Sequence, residues 1–201
     1  MYWAVYAIVM FVGLAMTVRE GLWSNAIALV NIVISGLVAF GFYMPVVIFL
    51  DEATGGKHTY WLDFAVIWAL FAASMVVCRA AAGAASNTRM RFKNPIDPVG
   101  GPFVGLIAAW VLASITLATL HTSPMPRDAF SGKLVHADVM NAKAITSPDA
   151  AWLRFVEKMS SPKALGSGNA LRFGAKGFVK DIYEKRREAF ENAEKLVVPR
   201  G

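Results

Sequence analysis

The sequence predicts an all-α integral membrane protein, a four-helix bundle followed by a C-terminal extramembrane helical tail. Three observations predict it. Four long stretches carry almost no charge. Hydrophobic residues make up 56% of the 201 positions and charged residues only 17%, against roughly 45–50% and about 25% in an average soluble domain. The charge is also uneven: residues 1–120 hold six Lys/Arg and five Asp/Glu, whereas residues 121–201 hold fourteen and nine. The division falls accordingly between a membrane domain, 1–120, and a polar, basic tail, 121–201. The single cysteine, Cys78, excludes an intrachain disulfide framework and a multi-cysteine zinc site.

A crossing helix needs roughly 20 mostly apolar residues, because about 30 Å of hydrocarbon is spanned at about 1.5 Å per residue. Met1–Val18 is uncharged and lacks the basic start of a signal peptide. Its Tyr2, Trp3 and Tyr6 suit an interfacial aromatic belt, so it reads as a retained span. Leu22–Leu50 is 29 residues long, about 43 Å as one straight helix. It must tilt, protrude or bend, and Gly41-Phe42-Tyr43-Met44-Pro45 is the expected break, as a proline kink or a re-entrant segment. Tyr60–Ala82 holds Asp63 near its start and Arg79 near its end; Gly101–Leu120 is charge-free. Backbone amides in hydrocarbon must be bonded internally, which makes all four helical.

Arg79 with the following Arg89, Arg91 and Lys93 forms the basic anchor expected on the cytoplasmic side, since positive short loops stay inside. Both termini then lie outside, the 81-residue tail being too long to count in that rule.

Helices in lipid associate through close backbone packing and interhelical hydrogen bonds. Gly101, Gly105, Ala109 and Ala113 recur every four residues and form a small-residue seam, opposite Leu106, Trp110, Leu112 and Leu117. Ala28, Ser35, Gly36 and Ala39 form a shorter one. The seams are expected to join copies of the chain, so that Gly105→Leu would disrupt assembly. Asn31, Ser35, Asp63 and Ser114 are the candidate polar intramembrane site. Asn31 is expected to bond a neighbouring helix or line a path, and Asp63 to snorkel or cap.

Catalytic and metal patterns do not emerge. Ser114 and His121 are seven residues apart, about 10 Å of rise, too far to act as nucleophile and base on one helix. His58, His121 and His136 lack metal-ligand spacing, and Gly55-Gly56 and Gly100-Gly101 read as turn material. No cofactor and no enzymatic activity are expected.

Arg19-Glu20-Gly21-Leu22, the glycine- and alanine-rich span ending Phe42-Tyr43-Met44-Pro45, and the run Pro95-Ile96-Asp97-Pro98-Val99-Gly100-Gly101-Pro102-Phe103-Val104-Gly105 resemble the colicin V production (CvpA) family. The resemblance covers roughly residues 10–120. Two departures stand out: no acidic residue near the start of the first span, and Ala108-Ala109 where a basic residue and a glycine are common. The resemblance implies a bacterial inner-membrane protein linked to colicin V production and envelope maintenance, without enzymatic activity. It also fits a periplasmic C-terminal region.

In the tail, Ser147-Pro148-Asp149 is a helix start: N-cap serine, proline at the first position, an acid in the first turn. Trp152, Phe155, Val156 and Met159 share a face, and Ser160-Ser161-Pro162 ends the helix. It is expected on the membrane surface or against a second tail helix, Gly177 to Val197, whose charged side carries Asp181–Lys185 and Arg187–Glu191 pairs. The basic residues lack the aromatic interleaving of a nucleic-acid module.

The expected function is a non-enzymatic inner-membrane scaffold. Its partners are the lipid bilayer and either a second copy or an envelope protein met through the tail. The alternatives are a small-solute transporter or channel lined by Asn31, Ser35 and Ser114, or a membrane anchor for a partner protein.

Overall fold

The structure, a computed structural model, describes residues 2–55, 59–85, 96–123, 147–162, 164 and 173–184. Among the described residues all regular structure is helical. The elements are α1 (Tyr2–Thr17), α2 (Leu22–Thr54), α3 (Thr59–Ala85), α4 (Ile96–Thr119) running on into a 3₁₀ turn at Leu120–Thr122, α5 (Pro148–Met159), and a π-helix over Gly177–Glu184. Three stretches are long and apolar enough to cross a membrane: Leu22–Thr54, Trp61–Ala85 and Ile96–Thr122. The fourth apolar helix, α1, has 16 residues, about 24 Å, and falls short of the usual crossing length of about 17–25 residues.

α2 is one uninterrupted helix of 33 residues with Pro45 inside it, so the re-entrant form of the break expected at Gly41–Pro45 does not occur. The carbonyl that a proline ring crowds belongs to the residue four positions earlier. Here that residue is Gly41, which has open space around it and can tilt its carbonyl aside. Phe40, Tyr43 and Val47, on either side of the proline, are all buried. The helix stops at Gly55, whose φ of 63° is the left-handed conformation and whose amide donates to Asp51 and Glu52 carbonyls.

The four apolar helices do not close into a ring. α1 packs on α4, α4 on α2, and α2 on α3, while α1 and α3 have no substantial contact. α4 is the central helix. Val111, Ala113, Ser114, Ile115, Leu117, Ala118 and Thr119 are all buried, because α1, α2 and α5 surround its C-terminal half. Leu117, expected to face lipid or a loose contact, is one of them. α4 also starts earlier than expected, so Gly100 and Gly101 are helical rather than turn residues.

The small-residue seam closes inside the chain rather than between copies. α1 runs antiparallel along it: a Cβ on Gly13 would lie 2.9 Å from Ala109 Cβ, and one on Gly105 would lie 2.7 Å from Thr17 Oγ1. The face expected to join a second copy is thus filled by α1, and Ala109 and Ala113 are 2% and 0% exposed. The shorter seam is filled as well. A Cβ on Gly36 would come within 2.5 Å of the Trp152 ring and 2.8 Å of Ile115.

Trp152 belongs to the tail. The apolar face of α5 packs against α4 and α2 rather than standing free for a lipid surface, and Trp152, Leu153 and Val156 join the main core. Phe173, Phe178 and Tyr183 join the same core around Phe40 and Tyr43, with Phe40 edge-on to Trp152 at 6.1 Å. An i→i+5 helix turns more slowly than an α-helix, and this brings Phe178 and Tyr183 edge to face at 4.7 Å between centroids. The tail pairs Asp181–Lys185 and Arg187–Glu191, the remainder of the expected second helix, and Arg89, Arg91, Lys93, His58 and His136 lie outside what the structure describes.

Candidate functional site

Two buried polar junctions lie at opposite ends of the helices. The first joins the two segments that carry the family resemblance. α2 starts at Gly21, which has no side chain to cap the exposed amides of the first turn. The cap comes from α4: Leu22 N–H donates to Asp97 Oδ1 at 2.8 Å. α2 and α4 run in the same direction, so this carboxylate sits at the positive end of α2 as well as in the first turn of α4. Gly21 lets it approach, since a Cβ there would stand 3.1 Å from Asp97 Oδ1.

Asn25 completes this junction. It is 1% exposed, and its Nδ2 donates to the carbonyls of Gly101 (2.7 Å), Thr17 (3.0 Å) and Glu20 (3.4 Å). One side chain thereby ties the end of α1, the α1–α2 turn and α4. Replacing it by leucine takes this partner from the Gly101 carbonyl, whose bond is the buried one of the three. Asn25→Leu is expected to lower stability by about 1–3 kcal/mol, read as a fall in the thermal midpoint in detergent.

At the other end Asp149 is the hub. Its Oδ1 accepts from Tyr2 Oη at 2.7 Å and from Ser147 Oγ at 2.9 Å, and its Oδ2 pairs with His121 Nε2 at 2.9 Å. Asp149 and Ser147 are fully buried, His121 is 3% exposed and Tyr2 5%. The junction ties the start of α1, the 3₁₀ turn after α4, and the start of α5. Tyr2 therefore does not serve the interfacial belt expected of it. Ser147 holds the expected N-cap position with Pro148 next, yet its hydroxyl bonds Asp149 rather than a backbone amide.

Burial by itself would push the Asp149 carboxyl up. The hydrogen bond from His121 and its charge, with the bonds from Tyr2 and Ser147, outweigh this and lower it from 3.8 to about 2. The folded state thus holds this proton less tightly than the unfolded chain does. The stabilisation is complete above about pH 4 and is lost as the pH falls towards 2. Acid unfolding followed by intrinsic fluorescence should show a component in that window that Asp149→Asn removes.

His121, Asp149 and Ser147 are catalytic residue types, but their order is wrong for nucleophilic attack. Ser147 bonds the carboxylate rather than the imidazole, and all three are shut away from a substrate. The arrangement is a lock.

The expected intramembrane polar set does not converge. Ser114 Oγ donates to Trp110 O on its own helix at 2.7 Å, and Ser35 Oγ lies 3.8 Å from Met75 Sδ. Asp63 is 1% exposed and does not snorkel. Asn31 is 7% exposed and faces a cavity of about 250 Å³ with Trp23, Ala26, Ile27, Val30 and Ala82. Arg79 is exposed on α3. Among the described residues no group of three or more His, Cys, Asp or Glu is arranged to hold a metal.

Asn25, Tyr2, His121 and Asp149 carry the junctions, and sequence reasoning gave none of them that role. For His121 and Asp149 a signal existed: a titratable residue directly after an uncharged span, and an acid at the start of a helix with an apolar face.

A family model described as Colicin V production protein matches residues 4–144, extending beyond the 10–120 of the resemblance to the threshold of α5. Comparison with the curated proteins and with the solved structures gives no match.

Proposed function

This chain belongs to the colicin V production protein family, and from that premise we propose that it is a non-enzymatic scaffold of the bacterial inner membrane. It serves colicin V production and envelope maintenance by holding a tail helix in a fixed pose on the membrane helices. Its N-terminus and tail face the periplasm, and its partner is an envelope protein that meets the outer side of α5.

The observation that carries the reading is the Tyr2–Asp149–His121 lock. It joins the N-terminal residue region and the tail at one end of the helices, while the Arg19–Leu22 turn and the start of α4 share the other. A tail fastened by buried bonds presents a fixed surface, here Phe155 and Lys158 on the exposed side of α5. The family match supports the membrane role.

Topology reporters fused at Lys93 and after Arg200 test the orientation. Lys93 is expected to report cytoplasm and Arg200 periplasm; both in one compartment overturns it. Complementation tests the scaffold. In a colicin V-producing strain lacking the chain, wild type should restore toxin output and a chain without Ser147–Gly201 should not. Full restoration by the truncated chain sinks the tail's role.

A further inference from the structure

The two outer helices of the open row α1–α4–α2–α3 are built alike. Each carries an exposed tryptophan near its start, Trp3 (52%) on α1 and Trp61 (62%) on α3. Each is followed by an exposed arginine, Arg19 just past the end of α1 and Arg79 within α3. Between these marks the outward surface is apolar, with Ile8, Phe11 and Met16 exposed on α1 and Val76 and Val77 on α3. The one charged residue inside either stretch, Asp63, is 1% exposed and so is turned away from lipid. α1 and α3 both run against α2 and α4, so the tryptophans lie towards one membrane face and the arginines towards the other.

Tryptophan rings settle at the headgroup level, and exposed charge marks where the hydrocarbon ends. Trp3 and Arg19 are sixteen residues apart, about 24 Å of helix, and Trp61 and Arg79 are eighteen apart, about 27 Å. A typical hydrocarbon core is about 30 Å thick. The limit on α1 is firm. Its helix ends at Thr17, and the exposed Glu20 follows Arg19. A short carboxylate does not snorkel as arginine does, and irregular backbone is not left facing lipid. Nor can α1 slide to fit, being tied by Tyr2 to Asp149 at one end and by the Thr17 carbonyl to Asn25 at the other.

The two belts are also out of step. Gly13 lies against Ala109, Thr17 against Gly105, Gly36 against Ile115, and Ser35 against Met75. Followed along the helices, these contacts set Arg19 level with Ser24 of α2 and Arg79 level with Asn31, and Trp3 level with Phe40 and Trp61 with Phe49. The α3 belt is thus displaced at both ends in the same direction, by seven to nine residues, about 10–13 Å. Three interhelix spacings of about 8–10 Å separate the outer helices. One membrane plane meets both belts when the row leans by about 20–25°, close to the usual tilt of a membrane helix. That lean leaves belts of about 22–25 Å across the bilayer.

We propose that the protein thins the bilayer around itself by about 5–8 Å. Tilting relieves a helix that is too long and worsens one that is too short, so at α1 the lipid must yield. The partners of the exposed faces of α1 and α3 are phospholipids whose acyl chains are shorter than those of the surrounding membrane.

The full chain, purified in detergent, is reconstituted into phosphatidylcholine vesicles with monounsaturated chains of fourteen, sixteen, eighteen, twenty or twenty-two carbons. Brominated dioleoyl phosphatidylcholine quenches lipid-facing tryptophan, Trp3 and Trp61 among them, and competition against it gives the relative affinity of each lipid. Wild type should favour the fourteen-carbon lipid over the eighteen-carbon one about threefold, a mismatch penalty spread over a few ångströms. Arg19→Leu combined with Glu20→Leu extends the uncharged run of α1 and should move the optimum to longer chains. Arg19→Lys combined with Glu20→Asp should leave it in place. Arg79→Leu, on the other outer helix, should move it in the same direction, and serves alone if the double leucine variant does not accumulate. A wild-type optimum at eighteen carbons or longer, or a profile that either folded leucine variant leaves unmoved, overturns the proposal.

Discussion

Asp149→Ala is expected to lower the stability of the folded chain by about 1–3 kcal/mol, the usual cost of removing one partner of buried hydrogen-bonded groups. The substitution takes a shared acceptor from His121 and the Tyr2 hydroxyl at once, because both bond the same carboxylate. It should also release α5. A cysteine at Leu153, which is fully buried, in a chain whose Cys78 is replaced, should resist maleimide in the otherwise unchanged protein and react quickly in Asp149→Ala. Asp149→Asn provides the control. Its amide still accepts from Tyr2 and Ser147 and can donate to a neutral imidazole, so most of the docking should survive. Equal labelling of Leu153→Cys with and without Asp149 would show that apolar packing alone holds the helix.

The second large effect is at Gly101. A methyl group there would stand 2.8 Å from the Glu20 carbonyl oxygen and 3.3 Å from the Leu22 amide nitrogen. Both are backbone atoms in the α1–α2 turn, held by Asn25 and Asp97, so neither yields cheaply. Gly101→Ala should cost about 1–3 kcal/mol through overpacking. Gly101→Leu should prevent accumulation of folded protein. Gly41→Ala is the matched comparison: its added methyl meets nothing within 4 Å, and helix propensity alone predicts a gain of up to about 1 kcal/mol. Thermal midpoints that move together in the two alanine variants would contradict the close approach at Gly101.

Gly105→Leu illustrates the distance between reading a seam and knowing its partner. The four-residue spacing of Gly101, Gly105, Ala109 and Ala113 announced a packing face, and the face is real. Its occupant was not announced, because α1 is uniformly apolar and carries no matching pattern beyond Gly13. The same substitution therefore attacks the fold of one chain.

The apolar runs, the tail helix starting at Ser147 and its stop at Ser160 were legible because each depends on neighbours within a turn or two. Asn25, His121 and Asp149 were not, since their partners lie 76, 28 and 147 residues away. At Pro45 the local rule allowed a kink or a re-entrant segment, and the helix runs on through the proline.

The reach of the lock has a bearing on how the molecule is made. Tyr2 emerges from the ribosome 147 positions ahead of Asp149. Every apolar helix must already be threaded and α4 seated before the carboxylate can meet its partners. Closure of that contact is hence a late event of biogenesis, and a nascent chain halted before α5 waits with His121 uncovered. Ordering of this kind gives the cell a checkpoint: quality-control proteases that survey unfinished membrane proteins would find a chain vulnerable until α5 has been translated and docked.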